Sequence, residues 1–293
     1  MQDPEKNYIQ CLQRGNEILF AQKDKEKEVT EHFRQHLGSA VSRLSAFNWT
    51  SLGYQQHDLS ALEAPTQEEI KNTIDSMPGD KAPGPDRFTG AFFKKCWDII
   101  RSDLTSALNQ LYNMNSQHLD LLNLANIVLI PKKPDATKVS DYRPISLIHS
   151  IAKIFSKLLA NRLAPFLDGL VSNCQSAFIK RRCIQDNFLY VQNTVKRLQK
   201  LKIPALFMKL DIQKAFDTIN WSYLLEVLHA LGFGQQWREW ISMLFGTASS
   251  RAMVNGQLGD SFSHKRGVRQ GDPLSPMLFI LAIDPLQRIL GFC

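Results

Sequence analysis

The sequence has no long apolar run. Its longest, Met277 to Ile283, is far below the ~18 residues that a membrane helix requires. The opening Met1-Gln2-Asp3-Pro4-Glu5-Lys6-Asn7 carries no apolar stretch of the signal-peptide kind. These absences predict a chain without a membrane partner, intracellular, in nucleus or cytoplasm. Cysteine is scarce: five in 293 residues, an odd number, with no C-x-x-C spacing. That argues against a disulfide framework and a zinc site and fits a reducing compartment. No G-x-x-x-x-G-K-[ST] occurs, which excludes a P-loop, and Gly232-Phe233-Gly234 lacks the third glycine of a dinucleotide fingerprint. Internal repeats and low-complexity tracts are also missing. With 44% hydrophobic residues the chain is not disordered.

Positive charge is abundant, and in one place. Residues 131–202 hold 14 Lys and Arg against 4 Asp and Glu, whereas the rest of the chain holds 21 against 24. A local excess of this kind draws in polyanions; the alternative is a plain solvated basic surface. The charges come in small groups such as Lys132–Lys133, Lys180–Arg181–Arg182 and Lys196–Arg197, so this is not a disordered basic tail.

Length suggests about two domains. Residues 1–37 read as a charged, helical lead-in on the surface, and 38–64 as irregular. His32 and His36 have the spacing of a metal pair, but H-F-R-Q-H lacks the Glu of H-E-x-x-H and a third ligand. Thr66-Gln67-Glu68-Glu69, after Pro65, is a capping box that starts a helix with Ile70, Ile74 and Met77 inward; Pro78-Gly79 ends it. The prolines of Lys81-Ala82-Pro83-Gly84-Pro85-Asp86 impose a loop. One long amphipathic helix follows, with Phe92, Trp97, Ile100, Leu104, Leu108 and Leu111 on its apolar side. Strands at Asn126–Ile130 and Arg143–Leu147 form an expected hairpin with a basic tip. Helices are predicted at Ile151–Leu167, broken at Pro165, and at Cys183–Lys202. Ala205-Leu206-Phe207-Met208-Lys209-Leu210-Asp211 reads as a buried strand ending in an acid. Helices at Trp221–Leu231 and Gln235–Phe245 precede a hairpin turn at Asn255-Gly256. The last helix has Ser275 as cap and Pro276 as its first residue, and runs to about Leu290.

Two segments carry candidate chemistry. In Lys209-Leu210-Asp211-Ile212-Gln213-Lys214-Ala215-Phe216-Asp217, an acid at the end of a buried strand is costly unless it meets a cation or a donor. Asp211 could hold magnesium or merely cap the next turn. In Arg266-Gly267-Val268-Arg269-Gln270-Gly271-Asp272-Pro273-Leu274-Ser275-Pro276, glycines and cations allow close approach to a phosphate or sugar; an ordinary surface loop is the alternative.

Taken together and in order, these segments resemble the reverse transcriptase of non-LTR retrotransposons, the long interspersed element type common in plant genomes. K-A-P-G-P-D at 81–86 resembles the first finger motif; L-I-P-K-K at 129–133 and D-Y-R-P-I-S-L at 141–147 resemble the next two. Q-S-A-F at 175–178 resembles the approach to the palm. K-L-D-I-Q-K-A-F-D and R-Q-G-D-P-L-S-P resemble the first catalytic palm motif and the nucleotide-pocket motif. The resemblance covers roughly residues 66–290.

It implies an α+β fold of the right-hand polymerase type, with a lead-in at 1–64, fingers at 65–204 and a partial palm at 205–293. Asp211 would be the catalytic acid and hold two Mg2+ ions, helped by the Ile212 carbonyl. Main-chain N–H groups of Lys214 and Ala215 would cradle the triphosphate. Phe216 would be the gate that excludes a ribose 2′-OH. Gln270 and Gly271 would line the sugar-base pocket, and Lys132 and Arg143 would reach the incoming phosphates. Lys180, Arg181 and Arg182 would touch nucleic-acid backbone, or form a plain solvated cluster. Asp217 is expected to start the next helix rather than bind metal. Partners would be an RNA template, a DNA primer and deoxynucleotide triphosphates, and the reaction attack of a primer 3′-OH on an α-phosphate.

The sequence also departs from the family. Arg87 stands where a glycine is expected after K-A-P-G-P-D. No Asp-Asp dipeptide occurs anywhere, although the family's second palm motif is an aromatic-Ala-Asp-Asp hairpin. This predicts a chain cut before that hairpin, with thumb and upstream endonuclease absent and the apolar edge of 205–211 exposed. Two readings follow: a polymerase domain, or a non-catalytic remnant that at most binds nucleic acid through residues 131–202.

Overall fold

The computed structural model describes residues 7–43, 46–59, 62, 66–115 and 118–291. Pro65 and Cys293 lie outside them. Helix and sheet are mixed, with the sheet on one side of a helical body.

The first 37 residues are not all helix. Two three-residue strands, β1 (Leu12–Arg14) and β2 (Glu17–Leu19), pair in antiparallel register around Gly15 at φ +60° before helix α1 (Gln22–Leu37). Glycine takes that left-handed turn without a Cβ penalty. Nor is α1 a detached surface helix. Val29, Phe33 and Leu37, one turn apart each, are buried against Ile127, Leu129, Ala252, Val254 and Phe262 of the sheet. Even Lys25 is buried, its Nζ donating to the carbonyls of Ile9 (2.8 Å) and Gln10 (3.0 Å).

Helix α2 (Gln67–Ser76) begins at the expected capping box: the Glu69 N–H donates to Thr66 Oγ1 at 3.2 Å, and the Thr66 N–H to Glu69 Oε2 at 2.7 Å. The expected long helix is two, α3 (Gly90–Lys95) and α4 (Trp97–Tyr112), divided at Cys96. The break turns Trp97, Leu104, Leu108 and Leu111 inward on the second piece. A one-turn helix, α5 (Leu119–Leu122), leads into the sheet.

Strands β3 (Leu124–Pro131) and β4 (Tyr142–Ile148) form the expected antiparallel hairpin. Strands β5 (Ser249–Val254) and β6 (Gln257–Ser263) meet at Asn255 and Gly256, both at positive φ, as a primed hairpin turn requires. The sheet order is β4-β3-β5-β6, with β3 and β5 parallel in the centre. The sheet thus spans both sides of the expected boundary at 204/205.

Helix α6 (Ser150–Leu170) runs through Pro165 without ending. Proline removes one N–H, but Pro165 and its would-be acceptor residue Asn161 are both exposed, so water can satisfy the freed carbonyl. Helix α7 (Ile184–Leu201) buries none of its residues. The stretch after it is the largest departure from expectation. Residues 203–212 form no strand, and Leu206 and Phe207 are 92% and 69% exposed. Ladder N–H and C=O groups need a partner strand, and no described strand pairs here. The expected buried strand is therefore an exposed extended chain, and its apolar side chains stand in solvent.

Helices α8 (Trp221–Ala230), α9 (Gln235–Gly246) and α10 (Ser275–Ile289) complete the body. The cap of α10 is Leu274 rather than Ser275. The Asp272 carboxylate accepts from the N–H groups of Leu274 (2.8 Å) and Ser275 (3.2 Å), which fixes the helix one residue earlier. One large core joins α2, α4, α6, α8, α9 and α10, centred on Ile70, Leu108, Phe155, Leu224, Trp240 and Leu281.

Candidate active site

The two segments that carry candidate chemistry lie against each other. Lys214, at φ +50°, opens a tight 3₁₀ turn over Ala215–Thr218, closed by the Asp217 N–H on the Lys214 carbonyl at 2.8 Å. The glycine-rich loop then docks on this turn through its backbone. The Val268 N–H donates to the Phe216 carbonyl (2.8 Å) and the Gly267 N–H to the Ile219 carbonyl (2.7 Å). Trp221 Nε1 donates to the Gly267 carbonyl at 2.7 Å. Gly267 sits at φ +79°, and a Cβ there would lie 2.8 Å from the Asp217 carbonyl oxygen. No other residue allows so close a crossing.

Strand β4 joins from the other side. The Ser146 N–H donates to the Gln270 carbonyl at 2.7 Å, and a Cβ on Gly271 would stand 2.9 Å from the Ser146 oxygen. The geometry thus brings together Lys214, Ala215 and Phe216 with Gln270 and Gly271. The Phe216 ring is half-buried and stacks on Phe279 of α10, centroids 4.6 Å apart and planes 12° apart. Lys132 completes this group electrostatically; its Nζ also donates to the Ser140 carbonyl at 2.9 Å. Arg143 is exposed on β4, opposite Ile130.

Asp217 lies in the first turn of this 3₁₀ helix rather than at the start of the next α-helix, which Asn220 caps, and it is the acid at the middle of this group. Burial raises its carboxyl above the usual range; Lys214, His36, a hydrogen bond from the Gln270 side chain and Lys132 act in the opposite direction. Burial likewise lowers the Lys214 ammonium, with Lys132 and Arg266 adding to the effect and Asp217 opposing it. The cations are crowded around one acid. His36, at the end of α1, has its Nε2 2.5 Å from Lys214 Nζ, and its Nδ1 2.6 Å from the His32 carbonyl. His32 and His36 are therefore not a metal pair. Their rings stack at 4.3 Å, and burial first, then His36 and Lys214, brings His32 down to about 4. Arg266 Nε donates to the His36 carbonyl at 2.5 Å and ties the loop to α1.

Sequence reasoning did not join His36 and Arg266 to this group, because their contacts exist only once α1 packs on the sheet. For Asp217, its place two residues after Ala215 in the motif was the available signal.

Other candidates lie apart from this group of contacts. Asp211 and Ile212 are exposed, on the unpaired stretch before the turn. Among the described residues, no three His, Cys, Asp or Glu side chains come together to hold a metal ion. Lys180 and Arg181 are exposed. Arg182 is committed inside the chain: Nε donates to Asp168 Oδ1 (2.7 Å), Nη1 to the carbonyls of Ser172 (2.5 Å) and Gln175 (2.7 Å), and Nη2 to that of Asp168 (2.7 Å). It clips the loop before α7, so it differs from its two neighbours.

The family model described as reverse transcriptase (RNA-dependent DNA polymerase) matches residues 130–291, more than half of the chain. The chain belongs to the reverse transcriptase family. Both docked segments and the β3–β4 tip fall within the match, whereas α1 and its His36 precede it. Similar relatives come from mobile elements. The transposon TX1 uncharacterized 149 kDa protein of Xenopus laevis is 32% identical over 230 residues, covering 78% of this chain and 18% of that protein. The Pol polyprotein of the type-1 retrotransposable element R2 of Nasonia vitripennis is 30% identical, covering 78% and 23%. The RNA-directed DNA polymerase of the mobile element jockey of Drosophila melanogaster is 28% identical, covering 74% and 24%. The chain thus spans under a quarter of each of these relatives' lengths. Among solved structures, a chain of a partial Cas6-RT-Cas1–Cas2 complex superposes with a TM-score of 0.45 at 18% identity, over 86% of this chain and 38% of that one.

Reverse transcriptases use divalent metal ions. The residues assigned to that task here do not fit a two-ion site: Asp211 is a single exposed carboxylate, and no described carboxylate cluster supports it.

Proposed function

We propose that this chain is the nucleotide- and template-binding part of a non-LTR retrotransposon reverse transcriptase, an RNA-directed DNA polymerase. The observation that carries this reading is the backbone docking of the Lys214–Thr218 turn onto the Gly267–Gly271 loop, with β4 sealing the other side. The substrates are an RNA template, a DNA primer and deoxynucleotide triphosphates.

Each residue then has a physical task. Lys132, Lys214 and Arg266 concentrate positive charge beside one partly buried acid, with the His36 ring against Lys214, a field suited to a triphosphate. Arg143, exposed on β4, adds to it. N–H groups of Lys214 and Ala215 face the phosphates from a tight turn. Phe216, held flat on Phe279, presents a rigid ring edge to the sugar and excludes a 2′-OH. Gln270, anchored by Asp217 and Ser146, faces the sugar and base. Lys180 and Arg181 lie on exposed chain available to nucleic-acid backbone. Magnesium is the ion of this chemistry.

The test is photo-cross-linking of dUTP and UTP, which differ only at the 2′ position, to the purified chain on an RNA template annealed to a DNA primer. A preference for dUTP is expected, narrowing about tenfold in Phe216→Val, since a site loses discrimination when a steric contact is removed. Equal labelling by both nucleotides in the unaltered chain refutes the gate. A second reading, a non-catalytic nucleic-acid binder, is favoured by the exposure of Asp211 and by the lack of a metal-holding carboxylate cluster among the described residues. It predicts duplex binding that falls steeply between 50 and 200 mM salt with no nucleotide labelling at all.

A further inference from the structure

Arg269 is the most buried cation of the molecule's pocket loop. It is 9% exposed, and burial lowers its guanidinium to about 10, with Asp272 opposing. A buried charge is costly unless it is paired and hydrogen-bonded. Here its Nη1 donates to Asn123 Oδ1 (2.6 Å), and its Nη2 to the main-chain carbonyls of Asn123 and Ser249. Those two residues sit at the starts of the parallel strands β3 and β5. Asn123 in turn donates to the Leu244 carbonyl (2.7 Å) and Thr247 Oγ1 (2.9 Å) at the end of α9. One side chain therefore ties the loop to two central strands and a helix.

Three residues on, Asp272 anchors the same loop to α10 through the N–H groups of Leu274 and Ser275, and to Ser156 of α6. Between these anchors stand only Gln270 and Gly271. The span is short and fixed at both ends, and its middle is pinned by the Ser146 N–H on the Gln270 carbonyl. The Nε of Arg269 has no protein partner among the described residues. Arg269 lines a cavity of about 30 Å³ together with Asn123, Ser156 and Asp272, room for one water.

We infer that Arg269 is a positioning residue for the nucleotide pocket: its fork, locked on Asn123 and Ser249, sets where Gln270 and Gly271 stand relative to β4 and Asp217. Lysine keeps the charge and loses the fork, so it separates position from charge. The inference rests on the reading of Gln270 and Gly271 as the sugar-base pocket.

The experiment uses the full chain and Arg269→Lys, with amide hydrogen exchange resolved to Ser146 and dTTP photo-cross-linking on the primer–template. In the variant, exchange at the Ser146 amide should rise at least about tenfold while the remaining β3–β4 amides change less than about twofold. Cross-linking of dTTP should fall at least about fivefold with duplex affinity unchanged. A uniform rise across the sheet, or no rise at Ser146, overturns the positioning role, as does unchanged dTTP labelling. No dTTP labelling of either protein overturns the pocket reading itself, whatever the exchange shows. Should Arg269→Lys not fold, Asn123→Ala removes one acceptor of Arg269, together with the Asn123 bonds to Leu244 and Thr247, and leaves the two carbonyl bonds. It should give the same pattern at smaller amplitude, and a flat response overturns the inference equally.

Discussion

His264 gives the chain a built-in sensitivity to mild acid. It lies just past β6, 4% exposed, with Nε2 2.8 Å from Ser250 Oγ and its ring stacked on Phe262. Burial, and then the nearby Arg269 cation, bring it from 6.5 to about 3. The unfolded imidazole takes up a proton below about pH 6.5, whereas the folded one stays neutral two units further down. The unfolded state therefore binds more protons across this window, and stability falls as pH falls. At 2.303RT per pH unit, His264 alone removes about 2 kcal/mol between pH 7 and pH 5, a large share of an ordinary domain's stability. His32 titrates in the same direction, so the contribution of His264 is isolated by difference. Urea unfolding followed by tryptophan fluorescence at pH 7 and pH 5, on the chain and on His264→Gln, gives that difference. The variant should lose about 2 kcal/mol less than the parent over the interval. A difference under about 0.5 kcal/mol would show that the imidazole is not held neutral by its surroundings, and the reasoning would fail.

Further outcomes follow from other contacts. Gly84 of the first finger motif passes so close to β4 that a Cβ would lie 2.0 Å from the Ile148 oxygen. Gly84→Ala should cost about 3 kcal/mol in urea unfolding, and a cost below about 1 would rule out the crossing. Leu206→Lys with Phe207→Lys should leave unfolding free energy within about 0.5 kcal/mol and reduce light scattering; a loss above about 2 would mean that these side chains are buried. Because burial raises the Asp217 carboxyl, its contribution to stability is present in acid and lost as pH rises through the raised value. Asp217→Asn should therefore be more stable than the parent at pH 7, with the advantage vanishing below about pH 4; an advantage independent of pH refutes the assignment.

Local signals were legible and non-local ones were not. The Thr66 capping box and the Asn255-Gly256 turn are decided within four residues, and both stand where the sequence puts them. The β3–β4 hairpin was legible because its two apolar strands are neighbours in sequence, joined by the polar loop 132–141. Pro165 misled because what makes it tolerable, an exposed face of α6, is a tertiary fact. The Ala205–Asp211 pattern is apolar enough for a strand, but a strand exists only with a partner, and pattern alone cannot supply one. In the candidate site, Lys214, Phe216, Gln270 and Gly271 could be named as candidates because they stand within two short segments. His36 was not: 178 residues separate it from Lys214. Asn123 was equally hidden, since its value lies in Arg269, 146 residues away.

The parallel pairing of β3 with β5 has a consequence for how the chain reaches this structure. Their partners Leu124 and Ser249 are joined by a covalent loop of over a hundred residues, and no hairpin can bring them together. Closing a loop of that length costs on the order of 4 kcal/mol of chain entropy before any contact offsets it. The helical body, whose early pairs α2–α4 and α2–α6 are nearer in sequence, can assemble first. On a ribosome, β3 and β4 emerge long before β5 exists, so the hairpin waits with one edge open. Long-range pairing of this kind predicts that the arrival of β5 is the slow event in folding, and it is β5 that brings the Ser249 carbonyl on which Arg269 of the Gly267–Gly271 loop is held.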